Sequence, residues 1–224
     1  MKKKSLFIAA AALLLTSQVA MAASPKTTTT HVLDVVDPAT HVSSQSVTTP
    51  EGIISTEAAS LAVPLYSQSG QSWSSQIMQT CGTTISSEGC ALTATAMVFK
   101  YYGVAIDPGT LNTKMGSYAC PIYWGEAVTR AGAGIVKTVS TSSPTAWTSV
   151  YPAAKAALDA GKPYILGINK AGGGTHFFVL SGYTDSGNYA ANYTIKDPAG
   201  GVTRSLSYYS TTGATPYRGV VYSK

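Results

Sequence analysis

The order of two hydrophobic periodicities along residues 61–224 constrains the fold more than any other feature of the chain. From Cys90 to Tyr102 the apolar residues Leu92, Ala96 and Phe99 recur at i, i+4 and i+7, and Val98 and Tyr102 widen the stripe. That is the pattern of a helix with one buried face, and Gly103 is a suitable stop. Tyr123 to Ala133 and Ala153 to Ala160 read as two further helices, the second ended by Gly161 and Pro163. Beyond these the period changes. Tyr164–Ile168, His176–Tyr183, Tyr193–Lys196, Ser205–Tyr209 and Gly219–Tyr222 are short strand-like runs. Turn signals at Gly172-Gly173-Gly174, Asp185-Ser186-Gly187 and Pro198-Ala199-Gly200 divide them. Helices first and strands afterwards predict a two-lobed α+β domain, with an N-terminal helical part and a C-terminal antiparallel sheet.

The residues ahead of that domain have a different character. Met1 to Lys4 are basic, Leu6 to Leu15 form an apolar run too short to span a bilayer comfortably, and Ala20-Met21-Ala22 is a small-x-small cleavage site. Residues 1–22 therefore read as a secretory signal, which places the protein outside the cytoplasm, secreted or periplasmic, with no stable membrane insertion after cleavage. Residues 23–60 are rich in Thr, Ser and Val and hold no Phe, Trp or Tyr. They bury little surface and read as a low-complexity linker or pro-segment. Within 224 residues, 45% hydrophobic and 11% charged, one core-forming domain is expected over residues 61–224. Of the 15 basic residues, Lys2, Lys3 and Lys4 belong to the signal, and the others nearly balance the 10 acidic ones. No Lys or Arg run remains, so nucleic acid is excluded as a partner on electrostatic grounds.

The chain has three cysteines, Cys81, Cys90 and Cys120. Exported proteins usually pair their cysteines, so an odd count leaves one reactive thiol or one intermolecular bond. Cys90 follows Gly89 and opens a helix, where free backbone N–H groups and the helix dipole favour an anionic, nucleophilic sulfur. The alternative is a small buried apolar side chain. Cys81 and Cys120 lie in turn-like surroundings, which suits a bridge between them that leaves Cys90 free. The close cysteine pair of a structural zinc site is missing, so no metal and no cofactor are expected. Two of the three histidines, His31 and His41, fall in the low-complexity segment. His176 alone belongs to the domain, between a glycine-rich turn and an apolar strand. A thiol becomes a strong nucleophile beside a base, and His is the usual one. Asp197, just before Pro198, either reaches His176 from an adjacent antiparallel strand or caps its own turn. Trp73, Trp124 and Trp147 either line a groove or pack in the core.

The run Gly89-Cys90-Ala91-Leu92-Thr93-Ala94-Thr95-Ala96-Met97-Val98, ending at Tyr101-Tyr102-Gly103, resembles the nucleophile helix of the C39-like peptidases, which are papain-like cysteine peptidases. Val63-Pro64-Leu65-Tyr66-Ser67-Gln68, Ile122-Tyr123-Trp124, Gly174-Thr175-His176-Phe177-Phe178-Val179 and Lys196-Asp197-Pro198 are similar to four further stretches of that family, in the same order. The resemblance spans about residues 61–224 and implies a papain-like fold acting on a peptide or protein substrate. By that resemblance Cys90 is the nucleophile, His176 its base, Asp197 the residue that orients His176, and Gln68 an oxyanion donor. Gln68 lies farther upstream of Cys90 than papain-like enzymes usually place it, and Gln71, Gln76 and Gln79 are nearer. Ala91-Leu92 stands where many relatives carry Gly-Pro. The expected function is a secreted cysteine peptidase using a Cys-His-Asp mechanism. A papain-like amidase or transamidase on cell-wall peptides, or an inactive secreted binding module, are the alternatives.

Overall fold

The computed structural model describes residues 58–224. The expected signal (1–22) and all but the last residues of the expected linker (23–60) lie outside the described residues. The elements run β1 (Ala59–Ser60), β2 (Ile77–Met78), β3 (Thr83–Thr84), α1 (Ile85–Glu88), α2 (Cys90–Tyr101), α3 (Pro108–Met115), α4 (Trp124–Ala131), β4 (Thr138–Ser142) and α5 (Trp147–Asp159). They continue with β5 (Tyr164–Asn169), β6 (Thr175–Tyr183), β7 (Tyr193–Asp197), β8 (Val202–Ser205), α6 (Ser207–Ser210) and β9 (Thr215–Ser223). Helices and an antiparallel sheet are thus mixed in one α+β domain, the coarse arrangement the sequence predicts.

The main sheet has the order β4-β9-β5-β6-β7-β8, with β1 paired to the end of β6. Every neighbouring pair is antiparallel. Side chains of β5 and β6 alternate between two cores. Ile165, Phe177 and Val179 join Leu92, Ala96 and Phe99 of α2, while Tyr164, Leu166, Phe178 and Leu180 join Val150, Ala154 and Leu158 of α5. Helices cover the sheet on both faces, so its central strands are apolar at nearly every position instead of alternating with polar residues. Burying one such Leu, Ile or Phe contributes roughly 1.5–3 kcal/mol. Two buried hydroxyls find backbone partners. Tyr102 Oη donates to Tyr222 O at 2.6 Å, and Thr95 Oγ1 to Ala91 O at 2.9 Å.

Helix α2 ends one residue short of the expected Tyr102, and α4 covers all but the ends of the expected Tyr123–Ala133. Two expectations need correction, and two elements were not expected. The expected strand Ser205–Tyr209 is not one. Strand β8 stops at Ser205, whose Oγ accepts from Ser207 N at 3.2 Å and turns the chain into α6. The helix expected from Ala153 begins at Trp147, so that Pro152 falls inside it. Its first turn is held by buried Val150 and by Trp147 Nε1, which donates to Ala214 O at 3.2 Å. Helix α3 and strand β4 have no counterpart in the sequence reading. Yet α3 carries a readable start, with Pro108 in its first turn and Asp107 Oδ1 accepting from Thr110 N at 2.7 Å.

Cys81 and Cys120 form a disulfide across a sequence separation of 39, and Cys90 is the free cysteine. The bridge fastens the turn between β2 and β3 to the segment ahead of α4. A loop of that size, left open in the unfolded chain, corresponds to about 4 kcal/mol of lost stabilisation. We expect the Cys81→Ala/Cys120→Ala double variant to lose up to about that much in urea titration, with a steeper slope because the unfolded chain without the bridge exposes more surface. A midpoint equal to wild type would show that the bridge adds nothing to the fold.

Candidate active site

Cys90 is placed by a sharp junction between two helices. Thr84 caps α1, its hydroxyl accepting from Ser87 N at 3.2 Å. After one turn Gly89 N donates to Ile85 O at 2.8 Å, and α2 begins at the next residue. A Cβ at Gly89 would lie 2.5 Å from Ile85 O and 2.6 Å from Ile85 Cγ2, so only glycine fits there. The result is a half-buried thiol at the N-terminus of a 12-residue helix, where unpaired N–H groups and the positive end of the dipole meet an anion.

His176 is the second residue of β6, and Asp197 the last of β7, its antiparallel neighbour. His176 Nε2 lies 2.8 Å from Asp197 Oδ1. Cys90 also acts on the imidazole, and with Nε2 spent on Asp197 the nitrogen left for sulfur is Nδ1. Asp197 has 0% exposure, so its carboxylate needs partners on all sides. Oδ1 also accepts from Ala199 N at 2.9 Å, the short-range turn contact expected of Asp before Pro. Oδ2 accepts from Tyr209 Oη at 2.7 Å. Arg204 Nε stands 3.3 Å from Oδ2 as an ion-pair contact without hydrogen-bond alignment. Tyr209 is stacked on Phe178 at 4.9 Å between ring centroids and lies 5.3 Å from the His176 ring. Tyr209 and Arg204 escaped the sequence reading. The only sequence signal for Tyr209 was an aromatic residue in a run that reads as strand.

These contacts fix the charge states. Burial alone favours a neutral His176, but hydrogen bonds to Asp197 and Cys90, and the charges of both, outweigh it and raise its pKa from 6.5 to about 9. Burial likewise pushes Asp197 up, yet the bonds from His176 and Tyr209 prevail and hold it below its ordinary value of 3.8. Both shifts are linked to stability. The imidazolium stabilises the fold fully below about pH 6.5, and that contribution is lost as pH rises through about 9. The Asp197 contribution is present above 3.8 and lost as pH falls through its lowered value.

Gln68 ties these pieces together. Its backbone N donates to Pro198 O at 3.0 Å, on the Asp197 turn, and its Nε2 donates to Ser86 O at 2.9 Å, in α1. It borders the same cleft as Cys90 and His176, a space of about 790 Å³. Gln71, Gln76 and Gln79 do not border it, and Gln76 Oε1 instead accepts from Asn112 Nδ2 at 3.3 Å. Of the three tryptophans only Trp124 faces the cleft. Trp73 and Trp147 spend their indole N–H groups on Ser67 O and Ala214 O. The disulfide sulfurs and Glu88 cluster on one wall within 4.8 Å of one another, but sulfurs joined in a disulfide offer no thiolate to a metal.

A free thiol at a helix N-terminus, an imidazole bordering the same cleft and a buried carboxylate behind that imidazole are the side chains brought together here. The Peptidase C39-like family model matches residues 60–218, and the chain belongs to that family. Among solved structures, the crystal structure of a candidate C39-like peptidase from Bacillus anthracis is 16% identical, with a TM-score of 0.43, over 75% of this chain and 98% of that one. No curated protein sequence matches the chain. Among the described residues, no helix is long and apolar enough to cross a membrane.

Replacing Asp197 by Asn removes the strongest support for the imidazolium. We expect the His176 titration midpoint, followed by NMR, to fall from about 9 in wild type by more than one unit in Asp197→Asn. Tyr209→Phe keeps the ring stack but frees one carboxylate lone pair, and its midpoint should not fall. An unchanged midpoint in Asp197→Asn would mean that Cys90, and not Asp197, controls the ring.

Proposed function

We propose that the chain is a cysteine peptidase in which Cys90, His176 and Asp197 act as nucleophile, acid–base and orienting residue. What supports this reading is that Cys90 and His176 border one cleft within electrostatic reach of each other, with Nε2 of the ring 2.8 Å from a buried carboxylate. The fold would be papain-like, its helical part presenting the sulfur and its sheet the imidazole.

The thiolate of Cys90 attacks the substrate carbonyl carbon, and the carbonyl electron pair moves to oxygen. Cys90 N–H and Gln68 Nε2, whose Ser86 bond occupies one of its two hydrogens, donate to that oxyanion. His176 gives its Nδ1 proton to the departing amine nitrogen, the C–N bond breaks and a thioester remains. Water then attacks the thioester. The neutral imidazole takes a proton from that water, and sulfur leaves as thiolate with the acid product. Asp197 keeps Nε2 protonated and the ring in place throughout. The Cys81–Cys120 bridge supports the export expected from residues 1–22, since disulfides persist in oxidising compartments.

Iodoacetamide labelling of the full chain across pH, read by peptide mapping, tests the proposal without a known substrate. Cys90 should label readily at and below neutral pH and slow at least tenfold in His176→Ala, as expected when thiolate is no longer paired with imidazolium. A Cys90 inert to the reagent at every pH would sink the enzyme reading in favour of a binding module.

A further inference from the structure

The wall of the cleft beside His176 is shaped by an irregularity in the sheet. Gly167 of β5 pairs with Arg218 of β9, while Ile168 pairs with Pro216, so Tyr217 is left without a partner. That is a β-bulge, which lets consecutive side chains leave one face of a strand. Tyr217 and Arg218 accordingly both border the cleft, although neighbours on a regular strand would diverge. The Tyr217 phenol lies within electrostatic reach of Cys90, Arg218 and Thr175, the residue before His176. Its ring meets Phe177 edge-on at 5.7 Å, and Phe177 in turn lies 5.4 Å from Trp124.

Charge marks the same wall. Three arginines fall among the described residues. Arg130 pairs with Glu126 and Arg204 with Asp197, but Arg218, although half-buried, has no carboxylate partner among the described residues. Lys170 also borders the cleft without an ion-pair partner among them, and its backbone N donates to Gly174 O at 2.9 Å in the turn that leads into His176. Its ammonium lies beside Gly174, where an added Cβ would stand 3.9 Å from Nζ. A partly desolvated guanidinium with no protein partner is a ready receptor for an external anion, and its fork matches a carboxylate.

We propose that Arg218 and Lys170 form a carboxylate-binding subsite on the leaving-group side of the cleft. This rests on the peptidase reading for its direction, because His176 protonates the leaving amine and residues contiguous with His176 therefore face the amine product. The wall offers an aromatic surface, Trp124, Phe177 and Tyr217, with two cations at its rim. It fits a leaving segment that carries a carboxylate, either an Asp or Glu side chain or the free end of a peptide.

Two measurements test the subsite. The first compares alkylation of Cys90 in the full chain by iodoacetate and by iodoacetamide, reagents of similar size and different charge. The rate ratio of anionic to neutral reagent should fall about threefold in Arg218→Gln, the scale of one exposed ion pair. It should fall again in Lys170→Gln/Arg218→Gln and stay near wild type in Arg218→Lys. An unchanged ratio in the double variant overturns the proposal. The second needs no reactive sulfur. Glycyl-glutamate with an amidated C-terminus, glycyl-glutamine as the free acid, and glycyl-glutamine amide, which carries no carboxylate, are titrated into Cys90→Ser protein and followed by NMR. Shifts at Thr175 and Arg218 with the first peptide identify a side-chain carboxylate as the ligand. Shifts with the second identify a chain terminus. Equal shifts with all three, or none, overturn the subsite. If Cys90 is inert to both alkylating reagents, the peptidase reading fails, and the NMR titration still decides whether the carboxylate site exists.

Discussion

The charge on Asp197 is the constraint to which this part of the molecule conforms. A carboxylate with no exposed surface costs several kcal/mol unless hydrogen bonds and opposite charge surround it. Here His176 and Ala199 N serve one oxygen, and Tyr209 and Arg204 the other. Each partner comes from a different local structure: the start of β6, the turn after Pro198, α6 and β8. The chain after β7 is therefore organised around one anion. Strand β8 brings Arg204 back along β7, and the single turn of α6 swings Tyr209 onto Phe178 and into contact with Oδ2. A strand continued to Tyr209 would leave that oxygen with Arg204 alone.

The opposite half of the site is placed by packing instead of charge. Helix α2 is buried from Leu92 to Phe99, so its axis is fixed by the sheet and by neighbouring helices, and the thiol at its first residue inherits that position. Thr93 and Thr95 in its interior are poor helix formers, and tertiary burial overrides their propensity. Gln68 joins the two halves, one hydrogen bond to the Asp197 turn and one to the helical turn before Gly89. The sulfur and the imidazole are thus brought together by the packing of α2 on β6 and by one strap.

The sequence was legible where a residue's environment is local. The helix of Cys90 announces itself by spacing, Cys90 by the glycine before it, and His176 by being the only domain histidine beside a glycine-rich turn. Strands β5, β6 and β7 are legible as apolar runs because both faces of the sheet are covered. Legibility ended where three-dimensional satisfaction decides. Tyr209 looks like a strand aromatic until the buried oxygen it serves is known. Strand β4, Thr138–Ser142, is mostly exposed at the sheet edge and carries no apolar alternation. Pro152 reads as a helix boundary, but tertiary contacts of Val150 and Trp147 carry the helix through it. Among the glutamines, chain distance from Cys90 was a poor guide, because the segment carrying Gln68 folds back across the Asp197 turn.

Regular elements bring the reacting groups together, and irregular positions shape the space in front of them. A Cβ at Gly167 would sit 2.5 Å from the Phe177 ring, so the absence of a side chain in the middle of β5 lets that ring lie across the strand toward Trp124. The bulge on β9 opposite the same glycine turns Tyr217 and Arg218 to one side. A side chain at 167 would have to displace Phe177, a core residue, so the glycine ties the shape of the wall to the packing of the sheet on α2. Cys90, His176 and Asp197 are held by the start of α2, the start of β6 and the end of β7, whereas what can lie against them depends on a glycine and one unpaired residue.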